Sequence, residues 1–74
     1  MPNRLHNWKY KDVTRFLKEK NFTLIREKKG SHEFWLSEDG QSLVGVNKTK
    51  GSYPIRTLET MIRQSDIPKK DWLG

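Results

Sequence analysis

The apolar residues of this chain change period between Leu17 and Phe22, and that change limits the folds open to it. Val13, Phe16 and Leu17 fall at i, i+3 and i+4, on one stripe of a helix from Lys11 to Lys20 with Arg15, Lys18 and Glu19 outside. Phe22, Leu24 and Arg26 then alternate with Thr23, Ile25 and Glu27, the period of a half-buried strand running to Lys28. Asn21 stands at the junction, and asparagine readily takes the left-handed conformation that ends helices. Trp8 and Tyr10, just ahead of the helix, read as core filler on its first turn.

Gly30 interrupts the strand pattern, and a second strand is expected from His32 to Ser37. The turn residues Glu38-Asp39-Gly40 then lead to a third strand, Gln41 to Val46, completing an antiparallel meander. Asn47 to Pro54 is a loop carrying Lys48, Lys50 and Gly51. Ser52 is expected as the N-cap of a second helix, with Pro54 in its first turn. Ile55, Leu58, Met61 and Ile62 make its apolar stripe, and it should end near Ser65. Pro68 opens a last short turn in which Trp72 and Leu73 cover an edge of the core. The order α-β-β-β-α predicts a small α+β domain, a three-stranded antiparallel sheet covered on one face by two helices. Residues 1–9 read as an N-terminal tail and 10–74 as the single domain.

Only about 60% of the surface of an unfolded chain this short is buried on folding, so the core must be modest. Three tryptophans, three phenylalanines and two tyrosines supply large buried areas despite a hydrophobic content of 32%. The chain has no cysteine, which excludes a disulfide framework or a zinc-thiolate site, and no cluster of residues suggests another metal or a cofactor. No run approaches the roughly 18 apolar residues of a membrane span, and Met1 to Lys9 lacks the apolar stretch of a signal peptide, so a cytoplasmic protein is expected. Fifteen Lys and Arg against nine Asp and Glu give a net charge of +6, which on so small a body attracts polyanions such as RNA or DNA and also favours solubility.

Within this basic chain the tripeptide Gly30-Ser31-His32 follows Lys28-Lys29 and opens the segment Glu33-Phe34-Trp35-Leu36. Histidine both gives and takes protons near neutral pH, so a histidine beside lysines is a candidate acid-base group next to a bound phosphate. A structural role competes with it. On an uninterrupted strand His32 shares a face with Phe34 and Leu36, the face expected to meet the helices, which would leave it half-buried. His6, in the tail, reads as a solvated residue.

The phrase Phe22-Thr-Leu-Ile-Arg-Glu-Lys-Lys-Gly-Ser-His32 resembles the helix end, Arg-bearing strand and Gly-Ser-His signature of the HicA family, toxins of bacterial toxin-antitoxin modules. Thr57-Leu58, Ile62 and Ser65-Asp66-Ile67 are similar to the last long helix of that family and its exit, and the likeness spans roughly Lys9 to Leu73. It implies a fold like the double-stranded-RNA-binding domain, mRNA cleavage in a type II toxin-antitoxin system, and a HicB-type antitoxin as partner. It also implies that His32 is the catalytic residue. The chemistry is coherent: RNA carries a 2′-hydroxyl beside each scissile phosphate, so a base that takes that proton suffices and no metal or other cofactor is needed. Lysines nearby offset the charge developing on phosphorus. Many relatives carry a second histidine after the third strand, whereas this chain has Asn47-Lys48-Thr49, leaving Lys48 or His32 alone for that role.

A non-catalytic RNA-binding module is the alternative. It needs the RNA-contacting candidates Arg26, Lys28, Lys29, Ser31, Lys48 and Lys50 but not His32. A DNA-binding regulator ranks below both, because the second helix carries only Arg56 and Arg63 as positive charges and no helix-turn-helix pattern presents a basic recognition helix.

Overall fold

In the computed structural model, residues 8–49 and 51–73 are described. Helix α1 (Tyr10–Glu19) leads to strands β1 (Thr23–Lys28), β2 (His32–Leu36) and β3 (Leu43–Asn47), followed by helix α2 (Ile55–Ser65) and a single helical turn, α3 (Lys69–Trp72). The strands form one antiparallel sheet in the order β1-β2-β3, and the chain is the α+β domain that its periodicities predict.

Asn21 ends α1 as expected. At φ 67° it lies in the left-handed region, and the Phe22 and Asn21 N–H groups donate to the carbonyls of Leu17 (2.9 Å) and Lys18 (3.0 Å), the paired bonds of a Schellman motif. Gly40, at φ 75°, closes the β2–β3 turn, and its N–H donates to the Ser37 carbonyl (3.0 Å). The Asp39 side chain holds that turn by accepting from Ser37 Oγ (2.6 Å) and the Gln41 N–H (3.0 Å), contacts that favour the carboxylate and lower its pKa below the usual carboxylate range. Helix α2 departs from expectation at its start: Pro54, not Ser52, is the N-cap, and no side chain caps it. It ends at Ser65, with Asp66 left-handed beyond it.

The helices cover the face of the sheet that carries Trp35, Val44 and Val46, which pack with Val13, Phe16 and Leu17 of α1 and Leu58, Met61 and Ile62 of α2. Sequence parity had pointed to the other face. Residues Phe34 and Leu36 suit a core as well as Trp35 does, so β2 alone is ambiguous. Strand β3 removes the ambiguity, because its two valines share one face while the alternative set is Leu43, Gly45 and Asn47. The register pairs Trp35 with Val44, and Glu33 with Val46, so burying the valines buries Trp35 and turns His32 outward. The accompanying cost is a glutamate on the core side.

Two more expectations are corrected. Strand β1 is not half-buried: all six of its residues are exposed, and a bulge at Ile25, between Leu24 and Arg26, breaks its alternation at the sheet edge. The packed body also begins before Tyr10, since Trp8 is fully buried, with its ring 5.6 Å from Trp72 and 6.3 Å from Phe16. Residues 1–7 of the expected tail, His6 among them, lie outside the described residues.

Candidate nucleic-acid interface

The tight turn into β2 is built by Lys29 (φ 53°) and Gly30 (φ 69°), two consecutive left-handed residues of the kind a type I′ hairpin turn needs. The Ser31 N–H donates to the Lys28 carbonyl at 3.3 Å across it. The turn places Lys28 opposite His32, and His32 opposite Asn47, so these three residues form one row across the sheet. Arg26, Phe34 and Gly45 form the next row on the same face. His32 is exposed on this open face, away from the helices, and the half-buried structural role expected from parity does not apply.

Among the candidate RNA contacts, Arg26 and Lys28 share this face with His32. Together with Ile25, Phe34 and Leu43 they line an open hollow of about 480 Å³. Lys29 is exposed at the tip of the turn, and Ser31 is half-buried beside it, its carbonyl accepting the Lys48 N–H at 2.9 Å. Lys48 itself belongs to the opposite side of the sheet. Its Nζ pairs with Glu27, whose hydrogen bond raises the lysine pKa, and Glu27 lies in the row of Glu33 and Val46. The residue facing His32 on β3 is therefore Asn47, whose Oδ1 is engaged by Thr49 N–H (3.0 Å) and Oγ1 (2.8 Å). Lys50 lies outside the described residues.

Behind the interface, Glu33 carries the hydrogen-bond network that the sequence reading missed. Tyr10 Oη donates to both carboxyl oxygens (2.9 and 3.0 Å), and Trp35 Nε1 donates to Oε1 at 3.1 Å. These bonds anchor α1 to β2 one residue from His32. Burial, then the hydrogen bond to Glu33 and the charge on it, push the Tyr10 phenol up to about 12. Tyr53 Oη donates to the Asn47 carbonyl at 2.7 Å, tying the far end of the His32 row to the loop before α2. The signal that could have located Glu33 was the parity of Val44 and Val46.

An exposed imidazole in a row with a lysine can take a proton from a sugar hydroxyl while the ammonium group offsets charge on the adjacent phosphate. Among the described residues no group of three or more His, Asp or Glu side chains is placed to hold a metal ion, and no helix is long and apolar enough to cross a membrane. No protein-family model matches the chain, and no curated protein matches it significantly.

Proposed function

We propose that this protein is an endoribonuclease that cleaves mRNA as the toxin of a type II toxin-antitoxin system, as its resemblance to the HicA family implies. The observation that carries this reading is the position of His32, exposed on the open sheet face with Lys28 directly across the hairpin. In the proposed step His32 takes the proton of the 2′-hydroxyl. The 2′-oxygen bonds to phosphorus, the bond from phosphorus to the 5′-oxygen breaks, and that oxygen leaves with a proton from solvent. A 2′,3′-cyclic phosphate and a 5′-hydroxyl result. Lys28 and Arg26 offset the phosphate charge. A HicB-type antitoxin would mask this basic face, and the setting is the cytoplasm.

The test compares wild type and His32→Ala on single-stranded RNA. The exposed position of His32 means the variant should fold, and loss of the base should slow cleavage by about 10² to 10⁴. A substrate with a deoxy sugar at the cleavage site should resist wild type, and excess EDTA should leave cleavage unchanged. Equal cleavage by a folded His32→Ala protein refutes the assignment. Binding by both proteins with cleavage by neither favours the RNA-binding module.

A further inference from the structure

The open face of the sheet holds an aromatic residue that acid-base chemistry at His32 does not use. Phe34 sits at the centre of this face, between Arg26 on β1 and Gly45 on β3. A Cβ at Gly45 would stand 3.7 Å from Phe34 Cε1, so the ring lies against the glycine, where no side chain lifts it from the sheet. No helix covers it. Ile25 and Leu43, beside it around the hollow, are 53% and 46% exposed.

We propose that Phe34, laid against Gly45, is a stacking platform for an unpaired base of single-stranded RNA, whose flanking phosphates are held by Arg26 and Lys28. The proposal rests on the reading of this face as the RNA site and adds the form of RNA that it takes. Three observations favour RNA over a protein as the occupant. The strand rows on this face carry Arg26, Lys28 and His32 and no acidic residue, because Glu27 and Glu33 go to the helix side. The chain as a whole carries +6, so the face complements a polyanion. An aromatic ring among cations on an exposed sheet is the arrangement that binds single strands, where every base offers a π-face, whereas the bases of a duplex are already stacked. Phe34 and His32 are two residues apart on one strand, about 7 Å, so a nucleotide stacked on Phe34 brings its sugar and phosphate towards His32.

The experiment is a fluorescence titration with a short single-stranded RNA made throughout of 2′-O-methyl sugars, which cannot be cleaved through the 2′-oxygen, with 2-aminopurine at its centre. Binding to wild type should quench the 2-aminopurine. Phe34→Leu should abolish the quench and weaken binding about tenfold or more while leaving the salt dependence unchanged, since no phosphate contact is lost. Phe34→Tyr should retain both quench and affinity. Lys28→Ala should keep the quench but reduce the logarithmic salt slope by about 0.7. If wild type binds without quenching, the proposal is overturned whether or not Phe34→Leu folds. A fully paired hairpin bound as tightly as the single strand also overturns it, as does a wild-type dimer that Phe34→Tyr or Phe34→Leu dissociates. The two readings separate cleanly. Cleavage that depends on His32 without any quench leaves the ribonuclease standing and removes the platform; a quench with no cleavage of unmodified RNA does the reverse.

Discussion

Removing one oxygen atom from Tyr10 should cost this domain a measurable share of its stability. Glu33 is 4% exposed, and the partners found for its carboxyl group are Tyr10 Oη, which reaches both oxygens, and Trp35 Nε1, which reaches Oε1. Tyr10→Phe keeps the ring that packs against the core and deletes only the donor, so Oε2 is left with no donor from these two residues. Leaving a buried acceptor unsatisfied costs about 1–3 kcal/mol. A chain of this length loses about 4–8 °C of Tm per kcal/mol, so the variant should melt at least about 4 °C below wild type. Calorimetry at neutral pH measures this directly, with far-ultraviolet circular dichroism to confirm that the helices and sheet persist. A Tm within about 1 °C of wild type would mean that water or a rearranged side chain replaces the phenol without loss, and the account of Glu33 as a glutamate held on the core side by Tyr10 would be wrong.

Two other outcomes follow from the backbone and the phenols. Lys29, left-handed at φ 53°, bears a side chain in a region that costs about 1–2 kcal/mol for residues other than glycine; Lys29→Gly should therefore stabilise the domain by about 0.5–1 kcal/mol in urea titrations after the entropy of the more flexible unfolded chain is deducted, and destabilisation would refute the turn geometry. Burial before all else pushes both Tyr10 and Tyr53 up to about 12, against about 10 for an unfolded tyrosine, so their contribution to stability is complete below pH 10 and is lost as the pH rises towards 12. Denaturation midpoints measured from pH 9 to 12 should fall across that window and fall less steeply in Tyr10→Phe; a flat profile in wild type would show that the phenols ionise as freely in the folded protein as in the unfolded chain.

The candidate interface was legible in the sequence in part. Gly30-Ser31-His32 drew attention to His32, and the basic run placed Lys28 near it. Phe34 and Gly45 gave no separate signal, because an aromatic residue and a glycine acquire a joint meaning only when the register sets them side by side. Lys48 resembled a candidate for the same reason that Lys28 did, by charge and by nearness along the chain. Lys48, one position beyond the end of β3 at Asn47, goes to the other side of the sheet, and there Glu27 takes its charge.

What the sequence determined by itself is local: the change of period after Leu17, the left-handed stop at Asn21, the turns at Gly30 and Gly40, the end of α2 at Ser65. Each depends on residues a few positions apart, and the backbone preferences of asparagine and glycine act there without help from distant contacts. Tertiary structure alone decided which face of the sheet is wet. Strand β2 is apolar at both parities, and the choice fell to Val44 and Val46, residues that meet β2 only after the hairpin has set the register. A shift of one residue reverses every side chain on a strand, so the same pairing that buries Trp35 brings Glu33 to Tyr10 and sets His32 and Phe34 facing out beside Arg26 and Lys28.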